Sequence, residues 1–326
     1  MSKLCSIIKG TQFTKLINSA TFLHPTRNFA RSHRIANLQT ESFPSNPDPS
    51  SSKFSTVNEA EILKFSQLAE EWWSPNGPVK LLHSMNPLRV AYMRRQYSKC
   101  SEERGENHFP FKGLRILDIG CGGGVLAESL SRLGGSVVGA DASWENIQIA
   151  KSHALKDPML HLGPGKLEYR CITAEKLLEQ GEIFDIVCAM EIIEHVNNPL
   201  EFLRTCAGMV KAGGGHLFLS TISRTPLSYF LTILLAEKIL GVVPNGTHDF
   251  SGYIRPDEIQ QEVQNLKADN DNNATNDSHA SERWGAVTDV TGIGLNPITG
   301  RWFEFYKWVP KRIQLDVNYL LTARRA

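Results

Sequence analysis

The stretch RILDIGCGGGVLAESL, residues 115–130, decides the fold. Arg115–Gly120 is a short apolar run ending in glycine, and Gly124–Leu133 then carries Val125, Leu126, Ser129, Leu130 and Leu133 at helical spacing. A buried strand that passes through a glycine turn into a helix opens a βαβ unit. Outward from it, SVVGAD (136–141) is a second apolar run closed by an acid, and Trp144–Leu155 is helical. Leu167–Thr173 alternates as a strand, FDIVCAM (184–190) is a buried strand, Leu200–Val210 a helix and GGHLFLST (214–221) a further strand. This alternation predicts an α/β fold with a mostly parallel sheet and helices on both faces. Ligands of such sheets bind at the carboxyl ends of the strands. Chemistry is therefore expected at residues 118–124, 141–143, 190–195 and 220–225.

The first strand end reads Asp118-Ile-Gly120-Cys-Gly122-Gly-Gly124. Glycines there let the backbone turn tightly and let a ligand approach main-chain amides. Asp141 closes the next strand, where an acid can accept both ribose hydroxyls of an adenosine. Gly122–Ala127 also fits the loose G-x-G-x-x-A form of a dinucleotide fingerprint. Asp118 weighs against that reading. A dinucleotide would bring an anionic pyrophosphate beside it, whereas the methionyl end of S-adenosylmethionine brings a cationic group.

The end of the buried strand FDIVCAM carries Met190-Glu191-Ile-Ile-Glu194-His195. If a helical turn begins after Met190, then Glu191, Glu194 and His195 share one face. Two carboxylates and an imidazole in one cleft are costly unless a cation or an acidic substrate proton relieves them. A Mg²⁺ site, or an acid/base group beside a methyl acceptor, is one reading. The other is that the acids favour a helix N-terminus and His195 is solvated. Spacing alone does not choose, and Mg²⁺ prefers oxygen ligands to a histidine nitrogen.

The formal net charge of the 326 residues is +1, but it hides an asymmetry. Residues 1–40 hold six of the 35 basic residues and no acid, so residues 41–326 carry 29 basic against 34 acidic side chains. A mildly acidic body argues against nucleic acid as a partner. The acid-free leader, rich in Ser and Thr, has the composition of a mitochondrial transit peptide, and residues 41–57 read as a linker. No apolar stretch approaches the roughly 18–20 residues that a spanning helix needs. The cysteines, Cys5, Cys100, Cys121, Cys171, Cys188 and Cys206, show no CxxC pair and fit a reducing interior.

Asp118–Gly124 followed by LAES (126–129), Met190–Val196, Lys211–Gly214 with Phe218–Thr225, and PNGTHD (244–249) resemble the ubiquinone-biosynthesis O-methyltransferases. WWSPNGP (72–78), LHSMNPLR (82–89) and DVNY (316–319) are similar to the same family. The likeness covers about residues 58–258 and 284–322, and the leader points to its mitochondrial branch. It implies a Rossmann-like methyltransferase fold with a seven-stranded sheet and an N-terminal helical cap over residues 58–112. It implies S-adenosylmethionine as donor and polyprenylated catechols as acceptors, 3,4-dihydroxy-5-polyprenylbenzoate and 3-demethylubiquinol. The donor-contacting positions fall on Arg89, Gly120, Asp141 and Met190, with Asp118 and Gly122 beside them. The Mg²⁺ positions fall on Glu191, Glu194 and His195. His195 and His248 are the candidate bases. The family also implies a peripheral place on the matrix face of the mitochondrial inner membrane and membership of a multi-enzyme coenzyme Q biosynthetic complex.

PLSYFLTILLAEKILGVVP (226–244) is apolar but broken by Glu237 and Lys238, which suits an interfacial helix or a helix covering the sheet. Residues 266–282, dense in Asn and Asp, read as a disordered insert in a domain spanning 113–326. Arg301–Pro310 and Asp316–Ala323 are expected to form a last hairpin. A methyltransferase of another phenolic acceptor, a nicotinamide-dependent oxidoreductase and a non-catalytic scaffold are the competing readings.

Overall fold

The computed structural model describes residues 55–99, 108–239, 246, 247, 249–273 and 284–326. The leader and His248 lie outside these residues. The chain opens with helices α1 (Glu59–Gln67) and α2 (Lys80–Ser98). It then alternates through β1 (Arg115–Ile119), α3 (Val125–Arg132), β2 (Ser136–Asp141), α4 (Trp144–Ala154), α5 (Pro158–Leu162), β3 (Lys166–Cys171), α6 (Ala174–Glu179), β4 (Ile186–Met190), α7 (Pro199–Gly208) and β5 (His216–Ile222). There follow α8 (Pro226–Tyr229), a π-helical stretch Phe230–Ile239, α9 (Pro256–Asn273), β6 (Trp284–Leu295), β7 (Trp302–Glu304), α10 (Lys311–Gln314) and β8 (Asn318–Arg325).

Local chemistry sets several helix starts. Asn58, Ser143, Thr173 and Asn198 each cap the helix that follows by accepting a main-chain N–H. Pro199 supplies a first helical position whose missing N–H has no intrahelical partner to lose.

The strands form one sheet in the order β3-β2-β1-β4-β5-β8-β6-β7. β1 to β5 are parallel, and β8 runs antiparallel against β5. Both faces are covered, so neighbouring residues of one strand enter different cores. Leu117 packs with Val187, Phe202 and Leu219, whereas Ile116 packs with Tyr92, Met93 and Phe218. The second of these cores is closed by α2, which is why the N-terminal helices belong to the site.

Four expectations change. The sheet has eight strands, not seven, because the short edge strand β7 adds to it. The expected last hairpin does not form: β8 inserts between β5 and β6, and β7 pairs with β6 instead. The β8 run YLLTA is buried on both faces, which a central position satisfies and a terminal hairpin arm would not. The Asn/Asp-rich insert is helical to Asn273, because α9 carries its hydrogen-bond ladder past the last large apolar residue, Leu266; residues 274–282 lie outside the described ones. Finally, the linker is shorter than residues 41–57. Thr56 is buried and gives its N–H (2.8 Å) and its hydroxyl to Glu175 Oε1, while Asn197 donates to the Thr56 and Val57 carbonyls.

Candidate functional site

One cleft opens over the tips of β1, β2 and β4. Its lining includes Arg89, Asp118, Gly120, Gly122, Asp141, Met190, Glu191 and His195. Eight of the ten candidate residues are thus brought together, Arg89 from α2 and the others from strand ends and the turns after them. Glu194 lies behind the cleft, buried, and its Oε2 accepts from the Thr221 hydroxyl (2.9 Å).

The glycine turn is shaped for close approach. Gly120 and Gly122 have φ of 71° and 52°, in the left-handed region. A Cβ on Gly122 would stand 2.3 Å from the Trp72 ring. Trp72 in turn donates through Nε1 to Asn146 (3.0 Å), and Trp73 through Nε1 to the Gly123 carbonyl (2.9 Å). The two tryptophans of the N-terminal segment therefore lie on the turn itself.

Asp141 accepts from the Gly122 N–H (2.9 Å) and the Ser143 N–H (2.8 Å). Burial pushes its carboxyl above the ordinary value, and these bonds pull it back only in part. Asp118 is more extreme. It is almost fully buried, its Oδ2 has no partner, and burial pushes it up to about 7 against the pull of Arg89. Arg89 is equally buried, with Nε and Nη2 unpartnered; the nearest carboxylate oxygen to it is Glu191 Oε1 at 3.6 Å, itself unpartnered. Buried polar groups are normally satisfied. Here two guanidinium nitrogens and two carboxylate oxygens that make no hydrogen bond face one cleft, which can hold a molecule carrying both a carboxylate and an ammonium group.

Glu191 is the one non-glycine residue with positive φ (54°) among the described residues. Such strain clusters where function holds it. It has a further consequence: Ile192 follows at φ −130°, and only Ile193–His195 form a helical turn. The helical face expected to join Glu191, Glu194 and His195 is therefore not made. His195 turns to α1, where its Nδ1 donates to Glu61 Oε2 (2.7 Å) and its ring meets the edge of Phe65. Among the described residues, no three His, Cys, Asp or Glu side chains are arranged to hold a metal ion.

The methyltransferase domain family model matches residues 83–267. The ubiquinone biosynthesis O-methyltransferase of Rhizobium johnstonii is 40% identical over 271 residues, covering 83% of this chain and 97% of that one. The mitochondrial ubiquinone biosynthesis O-methyltransferase of Arabidopsis thaliana is 40% identical over 276 residues, 84% of this chain and 78% of its own. The chain belongs to the ubiquinone biosynthesis O-methyltransferases.

It is thus an S-adenosylmethionine-dependent O-methyltransferase with the doubly covered, mostly parallel sheet of that class. Among solved structures, the magnesium protoporphyrin IX methyltransferase of Synechocystis PCC 6803 with bound SAM aligns with 84% of this chain and 100% of its own. Its identity is 14% and its TM-score 0.49, too distant to carry chemistry across.

Some pocket residues of this methyltransferase had no signal in the sequence. Glu61, Phe65, Thr56 and Glu175 line the cleft, yet none sits in a motif at a strand end. Glu61 meets His195 across 134 residues. The N-terminal segment entered the site only through the family likeness, by its helical cap and Arg89. Cys121, Cys188 and Cys206 are free and buried, with thiols raised by burial, as small core hydrophobes are.

Proposed function

We propose that this enzyme methylates a catechol hydroxyl of 3,4-dihydroxy-5-polyprenylbenzoate and of 3-demethylubiquinol. The observation that carries the reading is the set of unpartnered buried atoms in one cleft: Arg89 Nε and Nη2, Asp118 Oδ2 and Glu191 Oε1.

S-adenosylmethionine, when bound, supplies an electrophilic sulfonium methyl. Arg89 binds the methionyl carboxylate through its fork of N–H donors. Asp118 and Glu191 face the ammonium group. Asp141 accepts the ribose hydroxyls, the Gly120–Gly122 turn admits the ligand to the main chain, and Met190 packs on the adenine. His195 has Nδ1 committed to Glu61, which leaves Nε2 to take the proton of the phenol. The phenol oxygen then bonds to the methyl carbon as the carbon–sulfur bond breaks, and S-adenosylhomocysteine leaves. The protein contributes orientation and a fixed electrostatic setting.

Mg²⁺ assistance belongs to this reading as the family likeness implies it. The donors do not fit a Mg²⁺ centre as they stand: Glu191 leaves the helical region, so no helical face joins the three, and Glu194 lies behind the cleft, bonded to Thr221. No step is therefore routed through the metal.

We place the enzyme in mitochondria, peripheral on the matrix face of the inner membrane and within a coenzyme Q biosynthetic complex. The acid-free basic leader, the name of the Arabidopsis relative and the insolubility of a polyprenyl tail support this. No helix among the described residues is long and apolar enough to cross a membrane. The test is transfer of labelled methyl to a short-chain prenyl catechol, with and without chelator. Methylated product supports the reading; its absence with a saturating donor defeats it.

A further inference from the structure

We propose that His153, oriented by the buried carboxylate of Glu128, is a positioning residue for the methyl donor: it clamps Trp73, which holds the glycine turn. This rests on the assignment of the cleft to the donor and extends the site beyond the residues that line it.

The turn cannot set its own shape. From Gly120 to Gly124 the one side chain is that of Cys121, and glycine backbone is the least constrained of all. Its carbonyls are held from outside, by three different elements. Trp73 donates through Nε1 to the Gly123 carbonyl (2.9 Å), the Tyr169 hydroxyl from β3 to the Gly124 carbonyl (3.5 Å), and Asn86 from α2 through Nδ2 to the Val125 carbonyl (3.1 Å). Trp73 differs from the other two. It stands in irregular backbone between α1 and α2, and α1 buries no residue that could anchor it.

His153, in the last turn of α4, supplies the anchor. Its imidazole lies flat on the Trp73 indole, with ring centroids 3.3 Å apart and planes 3° apart. His83 from α2 meets the same indole edge-on at 5.0 Å. Stacked rings attract beyond what their buried area alone provides.

The imidazole is itself fixed. His153 Nδ1 donates to Glu128 Oε1 (2.7 Å), and Arg132 donates to the other oxygen of that carboxylate (2.7 Å). Glu128 is fully buried. A buried carboxylate is costly unless paired, and this one has both oxygens taken, so it is a rigid support.

The stripe of α4 that carries His153 points to the donor. Asn146, Ile149 and His153 follow at i, i+3 and i+7, on one helix face. Asn146 accepts from Trp72 Nε1 and donates to Asp141 Oδ1 (3.4 Å). Ile149 packs on the cluster of Trp72 and Val125. One face of one helix thus carries both tryptophans and, through Asn146, the acid at the tip of β2.

Calorimetric titration of S-adenosylmethionine into the full chain, beside steady-state kinetics with a short-chain prenyl catechol, tests the proposal. His153→Gln keeps a donor for Glu128 and removes the ring. Trp73→Phe keeps a ring for His153 and removes the N–H. Each is expected to weaken donor affinity and raise the donor KM by roughly tenfold, with kcat at saturating donor within about twofold of the wild type. The double variant should bind within about threefold of the weaker single one, because both changes act through one contact. A lowered melting temperature with unchanged donor affinity overturns the proposal, as a support for stability alone would give that result. Losses that multiply in the double variant overturn it as well. If His153→Gln does not fold, Trp73→Phe decides alone, and wild-type donor affinity there overturns the clamp. Arg89→Met separates the two levels. No donor uptake by the wild type strikes the assignment of the cleft, whereas weak binding by Arg89→Met beside wild-type affinity in Trp73→Phe and His153→Gln strikes the clamp alone.

Discussion

Glu61 Oε2 accepts a 2.7 Å hydrogen bond from His195 Nδ1, joining the first described helix to the turn after β4. Burial works against the Glu61 carboxylate, but His195 and Lys64 hold it below its ordinary value. A charged acceptor on Nδ1 fixes the imidazole tautomer and leaves Nε2 free to take a proton. Glu61→Gln keeps the volume and removes the charge. Turnover should fall by roughly 10–100-fold, the usual effect of losing an orienting partner. Donor affinity should change by less than about twofold, as Glu61 does not face the methionyl end of the cleft. Steady-state kinetics beside calorimetry separates the two.

The glycine turn gives a steric prediction. In Gly122→Ala the new methyl meets the Trp72 ring at 2.3 Å and the residue must hold φ 52°. Trp72 cannot retreat without losing its bond to Asn146. A loss of about 1–3 kcal/mol in unfolding free energy is expected, read from denaturant midpoints, together with weakened donor binding.

Asp118 gives a pH prediction. Its folded value is about 7, above the ordinary value of 3.8. Between those values the folded state holds a proton that the unfolded state has released, so stability falls as pH rises. The loss begins near pH 4 and is complete above about pH 7. Asp118→Asn should remove the share of this slope that Asp118 gives, leaving that of buried Glu194, also pushed up to about 7, so the variant gains melting temperature over the wild type as pH is raised through that window. Saturating donor should flatten the wild-type slope, because the ligand's ammonium group favours the ionised carboxylate. Thermal melts from pH 4 to pH 8, with and without donor, check both.

Much of the site was legible because parallel sheets place their chemistry at strand tips. Asp118, Asp141 and Met190 each stand at or next to the end of a strand whose apolar run is readable from sequence. Arg89 was reached through the family likeness alone, since a single arginine inside a helix announces nothing. The helical face expected to join Glu191, Glu194 and His195 is not made for a backbone reason: Glu191 leaves the helical region, which no propensity of glutamate foretells. The C-terminal pairing failed because strand order among β6, β7 and β8 depends on long-range packing, not on local pattern.

Metal binding follows from the same geometry. With Glu191 out of the helical region and Glu194 bonded to Thr221, His195 belongs to no group of three His, Cys, Asp or Glu side chains placed to hold a metal ion among the described residues. His195→Ala should leave Mg²⁺ affinity unchanged by calorimetry while lowering turnover by roughly 100-fold or more, the scale of losing a general base. A parallel collapse of Mg²⁺ affinity would return His195 to the metal.

The most direct test is calorimetric titration of S-adenosylmethionine into the full chain and into Arg89→Met. Arg89 is the buried cation with two unpartnered nitrogens, so the wild type should bind one equivalent and the variant should lose roughly 100-fold in affinity. No heat from the wild type, or equal affinity in the two proteins, would contradict the assignment of this cleft to the methyl donor.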